Sequence, residues 1–244
     1  MSCVYQIHVD TASAATVNPN GQATVSKVAG NPFQCTVILG NRHRRIRSLA
    51  LKNAQVPVGF YNVRAPYNTM NVNSVVYTVT PGNYSVTTLL NALNTTVTSA
   101  VGAFSSGALN NNIQFSSASG VVTMNVQPLT MLSFLGFTDQ QQGTAFYGTN
   151  SYIVNFDTYM NIWIENLGTQ SQEPRQITFK MPLTVGSGSI MHWAENSQNN
   201  QLVEVTDRGV RLDRLNIQVQ DRFGNLLNNN GLDWSFTIEI EADT

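Results

Sequence analysis

Alternation of apolar and polar residues predicts short β-strands along most of the chain. In the clearest segments, 4–9, 215–219 and 236–240, every second residue is apolar. A period of two places these side chains on one face of a strand, so each segment is expected to bury one face only. The predicted strands cover residues 4–9, 33–39, 46–56, 73–80, 113–117, 121–126, 152–156, 159–165, 176–181, 190–193, 201–205, 212–221 and 235–241.

One segment follows a helical period instead. Apolar residues recur three and four positions apart after Ser85, whose hydroxyl can cap a helix N-terminus. We therefore predict a helix near 85–98, with an apolar stripe that needs a sheet to cover it. A second apolar segment, 129–137, predicts a short turn or helix that ends at Gly136. The stripe of the first helix consists of Val86, Leu89, Leu90, Leu93 and Val97.

The order of these elements predicts the fold class. About ten short strands, one covering helix and long polar loops are typical of an all-β sandwich of the jelly-roll kind. The strands 113–117 and 121–126, separated by a short segment ending in Gly120, predict a β-hairpin. Since no segment resembles a linker, we expect one domain over 1–244. The polar segment 10–31 predicts an arm that is flexible or bound to a partner, with 23–26 able to pair weakly at a sheet edge.

The composition points to surfaces that other subunits cover. Charged residues make up 11% of the chain, against about a quarter in ordinary soluble domains. Asn, Gln, Ser and Thr supply the polarity instead, in runs such as 110–112, 140–142 and 228–230. Amides and hydroxyls cost less to desolvate than charges, and interfaces are depleted in Lys, Glu and Asp. A secreted or lectin-like β-protein with a neutral surface is the alternative.

Net charge, the N-terminal sequence and the cysteines indicate the expected partners and cellular compartment of the protein. The net charge of −1 provides no general attraction to nucleic acid or anionic membrane. Residues 1–10 lack the pattern of a signal peptide, and no apolar run approaches the roughly 20 residues that span a bilayer. We expect synthesis in the cytoplasm without membrane insertion. Two cysteines are no disulfide framework, so Cys3 and Cys35 are interpreted as buried thiols in a reducing compartment.

Catalytic and metal-binding motifs find little support in the sequence. The three histidines His8, His43 and His192 are isolated, without H-E-x-x-H or C-x-x-C spacing, so no metal or cofactor is expected. The glycine-rich segment 186–188 lacks the Lys and helix of a phosphate-binding loop. Asp157 and Glu165 could form a glycosidase pair only if folding brought them within about 5–10 Å. We therefore predict a protein that is not an enzyme.

One cluster of charge is conspicuous in a chain so poor in ions. It is expected either to contact a neighbouring subunit or to keep a solvated sheet edge from aggregating. Contact with packaged nucleic acid is disfavoured, because the cluster lacks the interleaved aromatic residues on which bases stack. The candidate contact residues are Arg42, Arg44, Arg45 and Arg47.

Four groups of residues resemble a known family in their order along the chain. The first is the segment 54–57 followed by Tyr61-Asn62, and the second is the segment 80–85 leading into Leu-Leu-Asn-Ala-Leu-Asn at 89–94. The third is Leu-Gly-Phe at 135–137. The fourth is the closing strand pair within 212–240. Together they resemble the single jelly-roll penton and minor capsid proteins of large eukaryotic DNA viruses, virophages and Polinton-like elements.

The resemblance implies two four-stranded antiparallel sheets and a structural role in the virion. It implies a homopentamer at the capsid vertex of an icosahedral DNA virus, with the major capsid protein and other minor capsid proteins as partners. A minor or cement protein of the same shell is the first alternative. A carbohydrate-binding jelly roll is the second, since several aromatic side chains could stack on sugars: Tyr147, Tyr152, Tyr159, Trp163 and Trp193.

Overall fold

The computed structural model describes residues 2–13, 23–43, 46–107, 111–155, 157–165, 178–196, 201–204 and 212–243. They form two compact units. The sandwich unit comprises Met1–Phe60 and Asp157–Thr244, and the inserted unit comprises Tyr61–Phe156.

The described residues contain seventeen strands and two α-helices. The strands are β1 (Ser2–Asp10), β2 (Ala23–Val28), β3 (Asn31–His43), β4 (Ile46–Pro57), β5 (Thr69–Val72), β6 (Val75–Thr78), β7 (Gly102–Ser106), β8 (Ile113–Ser117), β9 (Val122–Asn125), β10 (Gln141–Gly143), β11 (Ala145–Tyr147), β12 (Tyr159–Ile164), β13 (Phe179–Pro182), β14 (Ile190–Ala194), β15 (Leu202–Glu204), β16 (Leu212–Gln220) and β17 (Ser235–Asp243). The helices are α1 (Val86–Val97) and α2 (Met131–Phe134), and a 3-10 turn covers Thr11–Ser13. Neither helix has the length and apolar surface that crossing a bilayer requires, as far as the described residues extend.

The sandwich unit is a jelly roll. Its first sheet has the order β1-β17-β4-β14, and its second has the order β13-β12-β16-β3-β2. Its strands form four antiparallel pairs, each lying within the previous pair along the chain, as in one long hairpin that has been rolled up. The pairs are β1·β17, β3·β16, β4·β14 and β12·β13. These eight strands confirm the predicted all-β sandwich of four strands per sheet. Strand β15 pairs with β4 and is the fifth strand of the first sheet, and β2 pairs with β3 and is the fifth strand of the second.

Inward-facing side chains of both sheets form a single core. The alternation noted at 215–219 and 236–240 places the apolar residues of β16 and β17 in this core. Trp234 is 2% exposed, lies edge-on to Phe33 at 5.8 Å and stacks on Phe236 at 4.4 Å. Its indole Nε1 donates to the Pro32 carbonyl at 2.9 Å, which satisfies the polar atom that burial would otherwise leave unpaired.

The inserted unit has its own core. A four-stranded sheet of order β10-β9-β5-β6 and a three-stranded sheet of order β11-β8-β7 contribute to it. Helix α1 buries Leu89, Leu90, Leu93 and Val97 there. The Ser85 side chain accepts from the Thr88 backbone N–H, and the Thr88 side chain accepts from Ser85 in return. The predicted helix and its N-cap are therefore confirmed.

Three local predictions within the inserted unit are wrong. The strands β8 and β9 exist, but they belong to different sheets rather than to one hairpin, because β8 is paired with β7 and β11 while β9 is paired with β5 and β10. The strand predicted over 73–80 is confirmed only at 75–78, as β6, because Asn73 and Ser74 form the turn of the β5–β6 hairpin with φ of 52° and 64°. No strand covers the described residues 152–155 of the segment predicted at 152–156.

The segment predicted as an arm, 10–31, is attached to the sandwich at both ends. Thr11 is buried and donates its hydroxyl to the Asp233 carboxylate at 2.8 Å. Strand β2 pairs with β3 and buries Ala23 and Val25, so its period of two fits the edge of the second sheet. Residues 14–22 lie outside the described residues. Ordering of this segment on a partner, and folding of 1–244 as one domain, stay predictions.

Candidate interaction surfaces

The outward faces of the two sandwich sheets differ in chemistry. We call the outward face of β13-β12-β16-β3-β2 the amide face, since hydroxyl and amide side chains predominate on it. The outward face of β1-β17-β4-β14 carries an ion-pair network. The core-facing residues alternate with the outward ones along each strand, so the same period of two that predicted burial positions both faces.

Two cross-strand rows of side chains define the centre of the amide face. The first row is Ser26, Thr36, Asn216 and Glu165, since Ser26 pairs with Thr36, Thr36 with Asn216, and Glu165 donates its N–H to the Asn216 carbonyl. The Thr36 hydroxyl donates to Asn216 Oδ1 at 2.9 Å, and Asn216 Nδ2 donates to Glu165 Oε2 at 2.5 Å. This chain of hydrogen bonds fixes the orientation of the row.

The second row lies two residues further along the strands. It is formed by Gln34, Gln218 and Trp163, which are paired in register across β3, β16 and β12. The two rows line a groove of about 360 Å³ together with Lys27 and Val28 from β2. The indole of Trp163 is half-buried, so part of the ring faces the groove.

The opposite face is organised around a lysine. Lys52 Nζ lies 2.7 Å from Glu195 Oε2 and 3.1 Å from Glu239 Oε1. The bond to Glu195 is the main reason why the pKa of Lys52 is raised. Gln6 Nε2 donates to Glu239 at 3.0 Å and, together with Lys52, lowers the pKa of the Glu239 carboxyl. This face is therefore charged, and its lysine is shared between two carboxylates.

The inserted unit is nearly free of ions. From residue 61 to residue 156 the sequence contains two charged residues, Arg64 and Asp139. Strand β6, at one edge of the four-stranded sheet, exposes the side chains of Val75 and Val76, the latter with 64% of its surface accessible. The sequence pattern could have revealed this unit, because the average of 11% charge hides a long segment with almost none.

The structure gives the predicted arginine cluster only in part. Arg47 is an exposed residue of β4, and Arg42 lies in β3. Arg44 and Arg45 lie outside the described residues. The role of Arg42, Arg44, Arg45 and Arg47 in subunit contact stays a prediction.

The carboxylates that were weighed as a glycosidase pair do not come together. Asp157 precedes β12 and Glu165 follows it, so the six residues of this strand separate them by roughly 20 Å at about 3.3 Å per residue. A glycosidase requires about 5–10 Å. Within the described residues, no group of three or more His, Cys, Asp or Glu is placed to hold a metal ion.

The two thiols lie in different sheets. Cys35 on β3 is buried, which raises the pKa of its thiol to about 12. Cys3 on β1 is half-buried, although both were predicted to be buried, because β1 lies at a sheet edge.

The aromatic residues proposed for sugar stacking are dispersed. Trp163 lines the groove, and Trp193 is buried at 7% exposure. The ring of Tyr159 lies beneath Lys180 Nζ, 3.7 Å from its centroid. Tyr147 and Tyr152 belong to the inserted unit. Of these five residues, Trp163 is the one that lines the groove described above, next to the amides of Asn216 and Gln218.

The fold and these surfaces define a class of protein: a jelly-roll sandwich with an ion-poor insertion. No family model matches the chain, and no curated protein matches it in sequence. Among solved structures it is similar to the mavirus penton protein, at 8% identity and a TM-score of 0.49, with 100% of both chains covered. It is also similar to a chain in the cryo-EM structure of the Sputnik virophage, at 11% identity and a TM-score of 0.38, covering 98% of this chain and 97% of that one.

Proposed function

We propose that this protein is a structural subunit of a viral capsid, assembling into a ring of five copies at the vertices of an icosahedral DNA virus. The observation that supports the proposal most is the inserted unit, with two charged residues between 61 and 156. The number five and the vertex position come from the resemblance of the motifs within 46–241 to those of penton and minor capsid proteins.

Desolvation explains why a scarcity of ions suits such a role. An unpaired charge that is covered by a neighbour costs several kcal/mol, whereas amides and hydroxyls are covered at little cost once hydrogen-bonded. Exposed apolar side chains such as Val75 and Val76 gain roughly 25 cal/mol for each Å² that a neighbour covers. The inserted unit therefore has the chemistry of a surface that is buried in an interface between subunits.

A ring adds a geometric requirement. Closed rings form through heterologous contacts, in which one side of a subunit meets a different side of the next. Such contacts need two complementary surfaces on each subunit. The ion-poor surface of the inserted unit supplies one that repels no partner, since it presents almost no charge of either sign.

The stoichiometry of the purified chain tests the proposal. Native mass spectrometry and sedimentation velocity at micromolar concentration are expected to show a discrete species of five chains. A chain that remains monomeric and binds only to assembled capsomers would support a minor or cement capsid protein instead. A monomer that binds neither itself nor any shell component would contradict both roles.

A further inference from the structure

The groove on the amide face is a candidate ligand site that assembly does not explain. It crosses four strands, β2, β3, β16 and β12, and at roughly 4.8 Å between strands it extends about 14 Å. Its volume of about 360 Å³ falls within the range of about 300–1,000 Å³ that is common for small-molecule sites. We propose that this groove binds a neutral glycan.

The side chains of the groove match the chemistry of a sugar. Asn216, Gln34 and Gln218 each present a carbonyl acceptor and an amide donor, while Glu165 accepts only. Sugar hydroxyls donate and accept, so they can pair with both kinds of group. The half-buried ring of Trp163 offers the electron-rich face that the slightly positive C–H groups of a pyranose favour.

The charges of the groove favour an uncharged ligand. Two charged residues contribute to its lining, Lys27 and Glu165. The Lys27 ammonium already pairs with the Asp233 carboxylate at 2.5 Å, and Glu165 accepts from Asn216. Among the described lining residues, Lys27 is the one cation and it is already paired, so the Glu165 carboxylate is expected to disfavour an acidic glycan.

Hydrogen bonds within the protein already hold parts of the groove in place without a ligand. The hydrogen bonds from Thr36 to Asn216 and from Asn216 to Glu165 hold one row in place. Trp163 lies on β12, which is bonded on both sides, to β13 and to β16. Side chains already fixed in their bound orientation lose less conformational entropy on binding, which increases affinity.

A peptide is a poorer match to the same groove. An extended peptide binds a sheet by adding a strand at its edge, whereas this groove lies on the face of the sheet, where β12, β16 and β3 are each paired on both sides. The lining residues are mainly polar and include one aromatic ring. Such a lining matches the hydroxyl and C–H groups of a sugar better than the alternate apolar side chains of a peptide.

A screen of the purified full-length protein against an array of neutral and acidic glycans tests the inference. Binding to at least one group of neutral glycans is expected, and titration calorimetry with the free oligosaccharide then gives the affinity. Trp163→Ala is expected to weaken binding at least tenfold and Gln218→Ala about threefold or more. Gln55→Ala is the matched control, because Gln55 is an exposed amide on β4 in the other sheet, and its affinity is expected to be unchanged.

The outcomes separate clearly. An array without signal, exclusive binding of acidic glycans, or capture of an uncharged peptide at the groove would each overturn the inference. So would affinities that Trp163→Ala and Gln218→Ala leave unaltered. If Trp163→Ala does not fold, Gln218→Ala and Gln34→Ala carry the test, since they shorten half-buried amides at the surface. The glycan site does not depend on the ring of five, so either proposal can fail alone.

Discussion

The groove illustrates how single residues acquire a role through strand register. Asn216 and Glu165 are 51 residues apart in the chain, yet their side chains bond. The alternation in β12 and β16 predicts that both point outward, but it does not predict that they are neighbours, because pairing of distant strands fixes register. The sequence therefore identified Trp163 as a candidate stacking residue without its amide partners.

Burial of a single thiol gives a prediction at the same scale. Burial raises the pKa of Cys35 to about 12, so at pH 8 this thiol stays protonated and unreactive. Iodoacetamide at pH 8 is expected to modify Cys3 of the native protein and to reach Cys35 only after denaturation. Mass spectrometry of the digested protein measures both sites. Rapid labelling of Cys35 in the native state would contradict its burial.

At the scale of elements, local patterns predicted the sandwich strands and helix α1 well, but they missed β5, β7, β10 and β11 of the inserted unit and predicted pairing poorly. The apolar period of α1 and the capping residue Ser85 lie within one short segment, so they can be read directly. The sheets that β8 and β9 join depend on their partner strands, which lie elsewhere in the chain. The β5–β6 turn was missed because Asn73-Ser74 lacks the glycine that usually indicates a two-residue hairpin loop.

Strand β6 carries the prediction that belongs to this scale. If neighbouring copies cover the ion-poor surface, Val76→Glu is expected to convert the ring to monomers without altering the melting temperature by more than a few degrees. The reason is that a glutamate at a covered position must lose its hydration. Sedimentation velocity and thermal unfolding measure the two effects.

The chain offers a close control for this substitution. Val4 lies on the edge strand β1 of the sandwich unit and is 60% exposed, against 64% for Val76 on the edge strand β6. Val4→Glu adds the same charge to an equally exposed edge, on a face that already carries ions, and is expected to leave the ring intact. Equal loss of the ring in both variants would show that the inserted unit is not the specific contact.

At the scale of the whole molecule, the distribution of charge is as informative as the fold. The nested strand pairs make a jelly roll, and the chain between β4 and β12 adds a unit with two charged residues from 61 to 156. The jelly roll was predictable because its strands alternate clearly. The near absence of charge from 61 to 156 was also visible in the sequence, but the separate core of this segment was not, since it depends on which contacts the folded chain makes.

Electron microscopy of purified virus particles tests the central claim, that this chain is a vertex subunit covered by its own copies. The account predicts density at the five-fold positions that fits five sandwich units, with the inserted units at the contacts between them. Density for this chain at other positions of the shell, or particles that lack it altogether, would contradict the claim.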